Sequence, residues 1–162
     1  MFDMLPEGIS KDLIQYAIIV AVIGLIIKVV FAYTLYSTLK LVKKENQCIL
    51  PSQIWFVALP LFNIYWNFEV VRRLADSLNN EFYDRQIEVE ENPTRKAGQL
   101  FAWTYLLRNI PLPPFILLII GMLHFVYYIT YWIKVYQYKS LLALHVNHFG
   151  TDYTAKKEEN EN

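Results

Sequence analysis

Apolar residues fall into four stretches with polar breaks between them. The first runs from Leu13 to about Val42; it is free of charge over residues 13–27 and resumes after Lys28 as far as Leu39. Ser10 suits the N-cap, Asp12 suits the first turn, and Ile9 with Ile14 provides a flanking hydrophobic staple. Lys43 and Lys44 suit the carboxyl end. At 1.5 Å per residue such a helix is about 45 Å long, more than a hydrocarbon core of roughly 30 Å requires.

The second stretch, from Pro51 to Val71, is long enough to span, but Pro60 removes a backbone donor near its middle and Asn63, Asn67 and Glu69 follow. It is either a kinked span or a re-entrant hairpin whose freed backbone groups find partners inside the protein. Its continuation carries the clearest period in the chain. Phe68, Val71, Leu74, Leu78 and Phe82 recur at helical spacing, with Ala75 in the same stripe and Arg72, Arg73, Asp76, Asn79 and Asn80 on the remaining surface. That stripe must rest on lipid or on protein.

An acidic connector, residues 83–92, leads to Asn92–Pro93, which reads as an N-cap followed by proline at the first helical position. The third stretch, Ala97 to Ile110, gives only about 21 Å of helix, short for a crossing. The fourth opens at Pro114 and runs to about His148 with Gly150 as its cap; tyrosines and Trp132 crowd its second half as an interfacial belt. The predicted fold is an all-α integral membrane helical bundle in one domain over residues 1–150. It has four apolar segments, the second kinked or re-entrant and the third short, and residues 151–162 form a charged, disordered tail.

Composition agrees with that pattern. Hydrophobic residues make up 55% of the chain and charged ones 19%, below the roughly 25% of a soluble domain. Equal numbers of basic and acidic residues exclude the concentrated basic face of a nucleic-acid binder. The amino terminus holds Asp3, Glu7 and Asp12 against Lys11, so it lacks the basic n-region of a secretory signal. Cys48 is the only cysteine, so no internal disulfide forms.

Basic residues favour the cytoplasmic side. If all four segments cross with the amino terminus inside, ten basic residues lie inside and four outside (Lys40, Lys43, Lys44 and Arg108), with Lys28 in the membrane. If segment two is re-entrant, the amino terminus lies outside and the score becomes twelve against two, the two being Lys11 and Arg108. Both arrangements put the second loop and the carboxyl tail in the cytoplasm.

The candidate intramembrane polar residues are Lys28, Asn63, Asn67, Glu69 and His124. An intramembrane charge is a functional candidate by default. For Lys28 the bland alternative is an ammonium that snorkels. His124 is a proton relay or a neutral histidine bonded to a neighbouring helix. Glu69, Arg72, Arg73 and Asp76 are spaced to pair on one helix face, as a solvated ladder or as a docking or headgroup contact. With Phe68, Val71, Leu74, Leu78 and Phe82 they make the candidate face for a partner or for lipid. His145 and His148, with Asp152 beyond, have weak metal spacing, and cations suit a helix carboxyl end in any case, so no metal is assigned. The chain has no Gly-rich phosphate loop, H-E-x-x-H, C-x-x-C or G-x-S-x-G, so neither cofactor nor catalytic residue is assigned.

The run LPLFNIYWNFEVVRRLADSLNNEF, with Pro60, Asn63, Trp66, Leu74, Ser77 and Leu78, and the later YYITYWIKVYQYKSLL, with Tyr131, Trp132, Lys134 and Tyr138, resemble a family of small uncharacterised bacterial membrane proteins. The resemblance implies a polytopic inner-membrane protein of about four helical segments and implies no activity. The expected role is a non-enzymatic accessory, assembly or interaction component. It would contact the bilayer and a membrane-protein partner or a second copy. A small solute or proton transporter or channel is the alternative.

Overall fold

The computed structural model describes residues 11–150, and among these every regular element is helical. Helix α1 is Lys11–Leu39 and α2 is Phe62–Asp84. Helix α3 is Arg95–Arg108 and α4 is Pro114–Phe149. A single 3-10 turn, Lys44–Asn46, and a 3-10 helix, Pro51–Ala58, lie between α1 and α2. The Ser10 cap, the Ile9 staple and the charged tail lie outside the described residues.

Helix α1 stops before the predicted Val42. The amides of Leu41 and Val42 bond to Thr38 and Leu39 three residues back, which tightens the last turn and puts Lys43 and Lys44 beyond the helix. The start of α3 is also displaced. Asn92 and Thr94 both take positive φ, and the Asn92 carbonyl accepts the Arg95 amide, so Pro93 sits inside a turn rather than at the first helical position. Pro114 does open α4, and Gly150 closes it at φ +83° with its amide on the Val146 carbonyl.

The second stretch is a hairpin. Pro60 interrupts it, Leu61 takes φ +65°, and the chain reverses there. Trp66 Nε1 donates to the Gln53 carbonyl at 2.8 Å, and the Phe56 ring lies 5.5 Å from both Phe62 and Trp66. The 3-10 arm and the start of α2 therefore lie antiparallel. Of the two predicted arrangements the kinked rod is excluded.

Two helices, α1 and α4, are long and apolar enough to cross a membrane, not four. Helix α2 carries Glu69, Arg72, Arg73 and Asp76, and α3, with 14 residues, is only about 21 Å long. The contacts of α1 with α4 climb in step: Phe31 meets Tyr128 at 4.9 Å, Trp132 donates to Thr34 and Lys139 to Ser37. The two run parallel. Helix α3 runs opposite to α4, placing Phe101 on Tyr131 and Tyr105 on His124.

The stripe on α2 is where the prediction needs correcting. Val71, Leu74, Leu78 and Phe82 are buried within this chain, among Phe31, Leu35 and Leu39 of α1, Phe101 and Ala102 of α3, and Tyr131, Val135 and Leu142 of α4. Phe68, at the rim, stacks edge-on against Trp103. The face expected to meet lipid or a partner is instead the core. Of the described glycines Gly98 is the one in close packing: an added Cβ would lie 2.5 Å from Val71 Cγ1 and 2.9 Å from Tyr131 Cε2.

By contrast Gly24 of α1 and Gly121 of α4 have open space around them, and the neighbouring apolar side chains are exposed. The molecule thus has a packed head, from which the amino-terminal halves of α1 and α4 project on the same side. Gly98→Ala should lower the unfolding midpoint of detergent-purified protein, by about 1–3 kcal/mol of overpacking. Gly24→Ala and Gly121→Ala should not lower it; equal loss at all three positions would contradict this packing.

Candidate functional site

Three of the five predicted intramembrane polar residues converge on α3. Tyr105 OH donates to Asn63 Oδ1 at 2.9 Å, and Lys28 Nζ stands 5.8 Å from the centre of the same Tyr105 ring. His124 lies on the other side of Tyr105, ring centres 5.4 Å apart, and stacks on Phe101. Its Nδ1 is 3.3 Å from Thr104 Oγ1. The Thr104 hydroxyl faces its own helix's Leu100 and Phe101 carbonyls, which takes its one proton. His124 Nδ1 must then be the donor to Thr104, which leaves Nε2 as the unprotonated nitrogen of the neutral ring.

Asn63 is 1% exposed and His124 8%, while Lys28 is half-buried. Lys28 therefore lies over an aromatic ring, a cation–π position, rather than extending along the helix to an interface. Asn67, one turn beyond Asn63, is buried with Oδ1 lacking a hydrogen-bond partner, as do the Tyr128 and Tyr131 hydroxyls.

Glu69 stays apart from this group. It accepts from Arg72 at 2.9 Å, from Arg73 at 2.7 Å and from Tyr65, and the Arg73 guanidinium, then Arg72, holds its carboxyl below the usual range. Both arginines are about half exposed, so the ladder adds little stability. Asp76 joins neither; it pairs with Arg95 across to α3 at 3.3 Å. On the acidic connector, Glu90 accepts from Lys134 and Tyr138 of α4, and these two bonds hold its carboxyl below the usual range.

The most buried polar group is one that sequence reasoning missed. Glu81 and Arg85 form an ion pair at 2.6 Å with both side chains fully buried. The other Glu81 oxygen accepts from the Lys43 amide and from Asn46 Nδ2, each at 2.9 Å, and Asn46 also donates to Asp84. Arg85 Nη1 reaches the Gly150 carbonyl and His145 Nδ1, both at 3.2 Å. One pair thus fastens the exit of α1, the end of α2 and the end of α4. The signal was present in the sequence as an i, i+4 pair flanking Phe82 of the apolar stripe, which brings both ends close to the core.

This network also disposes of His145 as a metal ligand through Nδ1. Arg85 is a permanent donor, so Nδ1 accepts from it. His148 Nδ1 lies 2.9 Å from the Leu144 carbonyl, Asp152 is outside the described residues, and no metal-holding group of side chains occurs among the described residues.

No protein family, curated protein or solved structure matches the chain.

Breaking the buried pair on one side should destabilise strongly. Glu81→Gln or Arg85→Met should each cost about 3–5 kcal/mol, because the remaining partner is left buried and uncompensated. The double variant should cost clearly less than the sum of the two, as read from unfolding midpoints in a double-mutant cycle. Additive losses would show that the two residues do not act as a pair.

Proposed function

We propose that the chain is a multi-pass protein of the bacterial inner membrane that works by helix packing, as a non-enzymatic accessory or assembly component. The observation that carries this reading is the bare stretch of α1. Ile18, Val20, Ile23 and Ile26 are each more than half exposed, and no other element among the described residues covers them. Lipid satisfies such a surface, and another membrane helix can pack on it. The partner face is thereby moved from α2, which is closed, to α1.

The parallel course of α1 and α4 favours one of the two topologies. Helix α1 crosses from outside to inside, the Pro51–Phe62 hairpin dips in from the cytoplasmic face, and α3 with its proline-rich turn leads back. Helix α4 then crosses inward again. This is the arrangement in which Lys40, Lys43, Lys44, the second connector and the carboxyl tail are all cytoplasmic, leaving Lys11 and Arg108 outside.

A small solute or proton transporter is the second reading, favoured by the convergence of Lys28, Asn63, Tyr105 and His124. A photo-crosslinker walked along residues 16–27 in native membranes, with the same protein assayed in liposomes, separates the two. Packing predicts adducts of one discrete mass at positions three or four apart, and liposomes that stay tight to ions and protons. Lipid adducts alone at every position would sink it, and flux abolished by His124→Ala would establish the second reading.

A further inference from the structure

Lys28 and Arg108 are two cations set among exposed apolar side chains, and neither has a carboxylate partner among the described residues. Arg108 lies one turn beyond Tyr105 in the last turn of α3, and Tyr105 carries Lys28 on its ring face. His124 faces the same Tyr105 ring, centres 5.4 Å apart, so Lys28 and His124 meet at Tyr105 with Arg108 one turn further along α3. The ion pairs among the described residues all lie elsewhere: Glu69 with the α2 arginines, Asp76 with Arg95, Glu81 with Arg85 and Glu90 with Lys134.

Lys28 is half-buried beside Tyr105 and Arg108 is exposed one turn further along α3, and a half-buried ammonium with no carboxylate beside it among the described residues is costly. An anion from outside the chain removes that cost. The donor set is suited to phosphate: a guanidinium fork that can bind two oxygens, and a point charge beside it. The Tyr105 hydroxyl is committed to the buried Asn63, which fixes the ring that holds Lys28. Leu107 and Leu123, the chain neighbours of Arg108 and His124, are exposed and offer apolar surface to acyl chains.

We infer that Lys28 and Arg108, positioned by Tyr105 beside His124, form a binding site for a phosphate group, supplied by an anionic phospholipid or by free phosphate. The site rests on the membrane placement proposed above, and the two can fail separately. If the protein does not resist alkaline extraction from membranes, the placement fails; if it is inserted but shows no preference for phosphate, the site alone fails.

The test is lipid retention by native mass spectrometry, with phosphatidylglycerol and phosphatidylcholine offered together to detergent-purified protein. The wild type should retain the anionic lipid about tenfold better, as expected from one to two cation contacts. Lys28→Met with Arg108→Gln should abolish the preference, and Lys28→Arg should keep it, with unfolding midpoints confirming that the variants fold. Competition by inorganic phosphate, lost in the double variant, identifies free phosphate as the ligand; preference without competition identifies the lipid. Equal retention of the two lipids with no effect of phosphate, or a preference unchanged in the folded double variant, overturns the proposal.

Discussion

Everything else in this fold follows from the need to cover one side of α2. Val71, Leu74, Leu78 and Phe82 are buried apolar side chains, and at about 1.5–3 kcal/mol each they contribute on the order of 10 kcal/mol before entropy is charged against them. Exposed ion pairs such as the Glu69 ladder contribute about 0.2–1 kcal/mol, so they do not decide the arrangement. Burying the stripe draws in α1, α3 and α4 together. Once all three are on α2, the directions of α1 and α4 are set, and their remaining apolar lengths emerge side by side.

Two local features fix how that cover is registered. Gly98 lets α3 approach Val71 and Tyr131 at a distance no other side chain allows. The Glu81–Arg85 pair holds the far end, tying Lys43, Asn46, His145 and Gly150 to α2. A buried pair of this kind adds little net stability compared with an apolar replacement, because desolvation offsets attraction. What the pair does is tie three parts of the chain together through hydrogen bonds to Glu81 and Arg85. The head is therefore ordered by polar groups at one end and by close contact at the middle, whereas the projecting halves of α1 and α4 have no such constraint.

Much of this was legible in the residues, for identifiable reasons. Proline and glycine gave α4 both its ends, and the charge-free run after Leu13 marked α1, because these signals act locally. The break at Pro60 was visible, but its outcome was not: whether a chain kinks or reverses depends on what Gln53 and Phe56 find across the turn. The fate of the α2 stripe was hidden for the same reason, since period shows that a face is apolar and not what covers it. Lys28, Asn63 and His124 were singled out by type, yet their meeting at Tyr105 depends on α3 lying between α1 and α4. The buried pair escaped notice because an i, i+4 glutamate and arginine look the same on a wet helix as in a core.

Helices α1 and α4 run parallel, so a bilayer crossed by both, as proposed, would have Lys11 and His148 on opposite sides. The direct measurement is labelling of single cysteines by a membrane-impermeant maleimide, in a Cys48→Ser background, with Lys11→Cys and His148→Cys compared in intact and lysed cells. Lys11→Cys should react in intact cells and His148→Cys only after lysis. Labelling of both from the same side would mean that the two helices cross in opposite directions, and the parallel packing described here would be wrong.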